Sequence, residues 1–190
     1  MKNLKYIFLF IAFISVKNSI SIAQKYENWT IGVGMNIIDN DGNVKKDLLN
    51  SRKSWNSLNC PSVFLVGYKL NELVSFEFSE SLNNFDKGKT INAEILKVPQ
   101  FVSCSMIKGV LHPNAFFDTG RFDTYINGGF GITTIYRNVL LQPNLGLGLN
   151  YFIADGVALG FQASAYFGVT QVTNNFLMYS FTLKSSLSKL

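Results

Sequence analysis

Hydrophobic and polar positions alternate along most of this chain, and most regularly between Gln142 and Phe167. Asn144, Gly146, Gly148 and Asn150 occupy every second position, and Leu145, Leu147, Leu149 and Tyr151 fill the places between. After a break at Phe152 to Gly156, Val157, Leu159, Phe161, Ala163 and Ala165 alternate with Ala158, Gly160, Gln162, Ser164 and Tyr166. A repeat of two is that of a β-strand, whose successive side chains point to opposite faces. One face is apolar; the other is small and polar. A soluble sheet would turn its apolar face to a core, but no helical pattern is present to cover it. A closed barrel in a bilayer accounts for the division: lipid wets the apolar face and small residues line a narrow interior.

The same pattern predicts eight strands. They are Trp29 to Ile37, Ser62 to Leu70, Leu73 to Ser81, Gln100 to Lys108, Phe122 to Ile135, Val139 to Tyr151, Val157 to Phe167 and Asn175 to Leu187. Parity assigns Trp29, Ile31, Val33, Phe64, Val66, Phe76, Phe78, Phe130, Leu145, Leu147, Leu149, Phe161, Tyr179 and Phe181 to the lipid face. It assigns Thr30, Asn36, Lys69, Glu77, Tyr125, Asn127, Asn144, Asn150, Gln162 and Tyr166 to the interior. On the fourth strand, Ser103 and Ser105 are read as inward and Val102, Cys104 and Met106 as outward. Lys108 falls on the outward parity at the strand end, where its stem can lie on apolar surface and its amine reach water. Val63 and Leu65 blur the second strand. The hairpin turn at Asn71-Glu72 is short, whereas Ile38 to Cys60 and Leu82 to Pro99 are long polar loops. Short turns on one side and long loops on the other suit a barrel with both termini in the periplasm. Gly109 to Arg121 is a long connection for the short-turn side.

Met1 to Ala23 reads as a secretory leader, with Lys2 and Lys5 before an apolar core at Tyr6 to Val16 and small residues at Ser21 and Ala23. That core is too short for a membrane-spanning helix, which needs roughly 20 residues. The expected domains are therefore a signal peptide, 1–23, and an outer-membrane β-barrel, 24–190. Loss of Lys2, Lys5 and Lys17 with the leader takes the formal charge from +5 to +2. That is too little to argue for nucleic acid, and no basic run with interleaved aromatics is present. The 17 Phe, 8 Tyr and 15 Gly suit aromatic girdles and a tight interior. A soluble eight-stranded barrel is the rival, but it would carry Lys and Glu on its polar face rather than Gly, Ser, Asn and Thr.

Chemistry-bearing motifs are sparse. Cys60 and Cys104 fit no zinc spacing; free thiols are expected, a mutual disulfide being the alternative. Asp39-Asn40-Asp41-Gly42-Asn43 is turn chemistry, since the rest of a calcium loop is missing. The Gly-x-Gly pairs are strand alternation rather than dinucleotide-binding turns. The single histidine, His112, stands beside Pro113 and reads as a surface turn residue. No metal or cofactor is expected, nor enzymatic activity. Glu77 is the exception of interest: a charge inside a narrow barrel must be paired, solvated or neutral. Lys69 shares its inward parity on the neighbouring strand, and Tyr125 and Tyr166 could donate hydrogen bonds to it.

Several pieces resemble the small outer-membrane barrels of Bacteroidetes, related to the N-terminal barrel of outer-membrane protein A. They are Trp29 to Gly34 with Asn36, Asp39 to Asn43, Ser54-Trp55-Asn56, Pro61-Ser62, Gly67-Tyr68, Phe122-Asp123-Thr124-Tyr125, Asn144 to Tyr151 and Leu159 to Ser164. Thr124 stands where that family usually has proline. The resemblance implies an eight-stranded antiparallel transmembrane up-and-down barrel in the outer membrane of a Gram-negative bacterium. Its expected partners are outer-membrane lipid, the barrel assembly machinery and an envelope protein met through the external loops. A peptidoglycan-binding function, which many relatives carry in a further domain, is not expected of these residues. Two functions follow as expectations: a structural or interaction-type barrel, or a narrow porin-like channel for small solutes or ions.

Overall fold

Alternation of this kind forms strands because each face then meets one environment, and the strands here are long. The computed structural model describes residues 28–40, 54–58, 61–91, 94–116, 119–135, 138–168 and 175–187. The elements are β1 (Trp29–Asp39), β2 (Trp55–Ser57), β3 (Val63–Lys69), β4 (Val74–Phe85), β5 (Thr90–Ile91), β6 (Glu94–Ile95), β7 (Gln100–Leu111), a 3-10 turn (Pro113–Phe116), β8 (Phe122–Ile135), β9 (Asn138–Ala154), β10 (Val157–Tyr166) and β11 (Phe176–Ser186). The expected leader, Cys60, and most of the first and last long loops (41–53 and 169–174) lie outside the described residues.

Eight strands close into an antiparallel barrel in the order β1, β3, β4, β7, β8, β9, β10, β11, and β11 returns to pair with β1 from Thr30↔Ser186 to Asp39↔Leu177. This is the up-and-down barrel that the pattern predicts, and closure leaves no open edge. The turns at 70–73 and 155–156 and the 3-10 turn after β7 lie at the end where β1 begins and β11 finishes, here the termini end; Asp39, Val63, Phe85, Gln100, Ile135, Asn138, Tyr166 and Phe176 mark the other, the loop end. Turn chemistry fits these places. Asn71 Oδ1 accepts from the backbone N–H groups of Leu73 and Val74, at 2.9 and 2.8 Å. Asp155-Gly156 closes a two-residue turn with Gly156 at φ +70°, a conformation that favours glycine.

Several expectations change. The long loops are partly ordered strand: β1 runs on to Asp39, where β2 pairs with it, and β4 runs on to Phe85, followed by the hairpin β5–β6. The second strand is blurred because Val63 and Leu65 face in and are buried. The parity expected for β7 is reversed. Val102, Cys104, Met106 and Lys108 are buried inside, and Phe101, Ser103, Ser105 and Ile107 lie on the outer face. The cause is register: Ser81 lies opposite Cys104 and Glu77 opposite Lys108, so partners of inward residues must themselves face in. One consequence is a polar pair on the outer face, where Ser105 Oγ donates to Glu80 Oε2.

The interior is divided along its length. At the loop end Ile38, Phe85, Val102, Cys104, Met106, Tyr166, Phe176 and Met178 form one buried cluster, against which Ile91 of β5, Leu96 and Ile135 pack. The β5–β6 hairpin thus lies over the barrel mouth. An amide layer also lies at the loop end: Asn83 Nδ2 donates to Asn36 Oδ1 at 2.7 Å and to the Asn56 carbonyl at 3.0 Å. Toward the termini end the lining becomes polar.

Candidate functional site

The polar half of the interior is built by three charged side chains from three strands. Glu77 of β4 lies 2.5 Å from Lys108 Nζ of β7 and 3.5 Å from Lys184 Nζ of β11. All three are buried. Such charges are tolerated inside only because they are paired. Lys184 also sits over the Tyr125 ring, 5.0 Å from its centroid, where the ring face attracts a cation. Tyr125 in turn donates to Gln162 Oε1 at 3.3 Å, and Gln162 Nε2 donates to Ser164 Oγ at 2.9 Å.

Space for the Tyr125 ring comes from a glycine. A Cβ on Gly148, directly opposite Tyr125 across β8 and β9, would overlap the hydroxyl-bearing edge of the Tyr125 ring. The small residues of β9 therefore make room for large ones on its neighbours.

Below this tier, at the termini end, lies a cavity of about 740 Å³ whose walls include Thr30, Lys69, Ser75, Glu77, His112, Asp123, Tyr125, Asn150 and Lys184. The expected place of His112, a surface turn, is corrected. The residue follows β7 directly, and its ring is drawn inward between two strands. Its Nε2 lies 2.8 Å from Ser75 Oγ, and its Nδ1 lies 3.0 and 3.1 Å from the carboxylate oxygens of Asp123. Asn150 Nδ2 donates to Asp123 Oδ2 at 2.9 Å. A carboxylate at Nδ1 holds the proton there, which leaves Nε2 to accept from the serine hydroxyl.

Of the residues assigned to the interior by parity, Asn36, Glu77, Tyr125, Asn127, Asn144, Asn150, Gln162 and Tyr166 are buried; Thr30 and Lys69 are half-buried on the cavity wall. Glu77 takes Lys108 and Lys184 as its partners rather than Lys69. The Tyr166 hydroxyl lies in the apolar cluster, 3.6 Å from Met178 Sδ. Of the residues assigned to the lipid face, Leu149 and Tyr179 are half-buried and the rest are exposed. Sequence reasoning missed Lys108, Lys184, Asp123 and the role of His112. Among the described residues, no group of three His, Cys, Asp or Glu side chains could hold a metal ion.

Neither protein-family models nor curated proteins give a match to this chain. Solved structures do. Neisserial surface protein A superposes with a TM-score of 0.61 at 10% identity, covering 85% of this chain and 98% of that one. The N-terminal β-barrel domain of OprF from Pseudomonas aeruginosa gives 0.56 at 11% identity, covering 86% and 100%. The outer membrane protein AlkL, determined in DMPC lipid bilayers, gives 0.52 at 12% identity, covering 90% and 95%. With these identities the likeness speaks for architecture alone: the chain has the fold of the small eight-stranded outer-membrane β-barrels.

Proposed function

We propose that this chain is an integral outer-membrane barrel of the structural or interaction type, with residues 1–23 as a cleaved leader and both termini in the periplasm. Its exposed Trp29, Ile31, Val33, Phe76, Phe130, Leu147 and Phe181 then meet lipid, and its insertion uses the barrel assembly machinery. The Bacteroidetes assignment rests on the local sequence pieces alone and belongs to this proposal. The loop end, where β2 and the β5–β6 hairpin extend the barrel, is the surface offered to an envelope partner.

The observation that carries this reading against a channel is the apolar cluster at the loop end. Phe85, Ile38, Val102 and Met106 are almost fully buried there. An interior of eight strands is narrow enough for side chains to fill it, and an apolar plug offers nothing to a hydrated ion. Planar-bilayer recording of the purified barrel tests this. No stable conductance is expected from the native chain, whereas Phe85→Ala with Met106→Ala should introduce a leak. Steady conductance in the native chain would replace the interaction reading with the porin-like one. Membrane fractionation with N-terminal sequencing tests residence and cleavage; a soluble periplasmic monomer would defeat both.

A further inference from the structure

The cavity at the termini end holds a constellation that a structural barrel does not require. Ser75 Oγ, His112 Nε2 and Nδ1, and the Asp123 carboxylate form one line of contacts at 2.8 and 3.0 Å. The three residues come from β4, from the residue after β7, and from β8, so the barrel wall itself sets their spacing. All three line the same cavity of about 740 Å³, a size that suits a small organic ligand. Asp123 is itself fixed by Asn150, and the His112 ring lies against Tyr125, with centroids 5.9 Å apart. Lys69 lies directly opposite Ser75 in the β3–β4 register and lines the same cavity.

We propose that Ser75, His112 and Asp123 form an acyl-transfer site that hydrolyses small esters entering from the termini end. The geometry meets two tests for such a site: nucleophile bonded to base, and base bonded to an orienting carboxylate. Ser75 Oγ bonds to the acyl carbon while its proton passes to His112 Nε2. The tetrahedral adduct collapses, its bond to the alcohol oxygen breaks, and that oxygen takes the proton from Nε2. Water then attacks the acyl-serine with His112 again as base, which releases the carboxylic acid and restores Ser75. Lys69, opposite Ser75 in the register and on the same cavity wall, is assigned the stabilising of the oxyanion in both steps. Asp123 is a positioning residue that holds the imidazole in the required tautomer.

This activity is independent of the interaction reading of the loop end, and its test uses a different end of the molecule. The full-length barrel in lipid vesicles is treated with a fluorophosphonate probe, and the adduct is mapped by peptide mass spectrometry. Covalent label at Ser75, together with hydrolysis of p-nitrophenyl acetate, is expected. Ser75→Ala should abolish both while the barrel keeps its heat-dependent gel mobility. His112→Ala should slow labelling by about 10²- to 10⁴-fold, and added imidazole should restore part of the rate, which loss of a merely structural contact would not allow. Asp123→Asn should slow labelling, and Asp123→Glu should recover part of it. A native barrel, folded by its gel mobility, that takes no label at Ser75 overturns the proposal, and that result needs no variant to fold. Labelling at a rate that His112→Ala leaves unchanged overturns it as well.

Discussion

Replacing Glu77 by Gln should cost more than replacing either lysine that it holds. The buried group has one carboxylate and two ammonium ions, at 2.5 and 3.5 Å. At an effective dielectric of about 20, unit charges at those separations attract by roughly 7 and 5 kcal/mol. Most of that gain offsets the several kcal/mol needed to dehydrate each ion. The balance depends on which charge is removed. Lys184→Met leaves a neutral one-to-one pair of Glu77 with Lys108, and the change should be modest. Glu77→Gln leaves two buried cations facing each other with no anion between them, and breaking a buried pair in this way costs about 3–5 kcal/mol. Urea unfolding of the barrel in lipid vesicles, followed by tryptophan emission and heat-dependent gel mobility, measures both variants. A Glu77→Gln barrel no less stable than Lys184→Met would refute the charge accounting and the inward placing of Lys108 with it.

Other changes read different parts of the wall. Gly148→Ala should destabilise by about 1–3 kcal/mol, because the new Cβ displaces the Tyr125 ring from beneath Lys184, and the same unfolding assay reads it. Leu147→Arg, one residue away on the outer face, should cost about 2–4 kcal/mol in lipid while Leu147→Ala is mild; a spin label at 147 should be quenched by a lipid-soluble relaxation agent and one at 148 should not. Glu80→Leu should stabilise the barrel in lipid, since it removes a carboxylate on the outer face that accepts from Ser105 Oγ; a loss of stability would show that Glu80 has a further role.

The wall was legible in the sequence where large apolar and small polar residues alternate without exception. β8 spans the predicted Phe122–Ile135 residue for residue, and β10 ends one residue short of its prediction. β7 was not legible, because Ser, Cys and Met carry little preference between lipid and a partly apolar interior. The signal present was Lys108: a lysine in a strand beside one that carries an inward Glu77 is better satisfied inside, paired with it, than in lipid. The cavity residues were missed for a different reason. Asp123 stands two residues before inward Tyr125, and Lys184 stands one after outward Leu183, so the parity of both was readable, but nothing in the alternation marked either charge as an interior partner. What the sequence could not supply was shear. Only the registers across β4, β7 and β8 bring Ser75, His112 and Asp123 together from positions 37 and 11 residues apart.

The seam between β1 and β11 bears on how the barrel comes to exist. Its last bonds join the two ends of the described chain: Thr30 lies opposite Ser186, and the Leu187 N–H donates to the Trp29 carbonyl at 2.8 Å. A chain synthesised from its N-terminus has no ring to close until β11 has been made. Every shorter product carries two bare edges, on β1 and on its most recent strand, each with a row of unmet peptide groups. Such a ribbon cannot rest in hydrocarbon. Truncation before residue 186 therefore removes more than one strand: it converts a closed wall into an adhesive sheet, and the final segment sets whether any of the earlier ones can stay in a membrane.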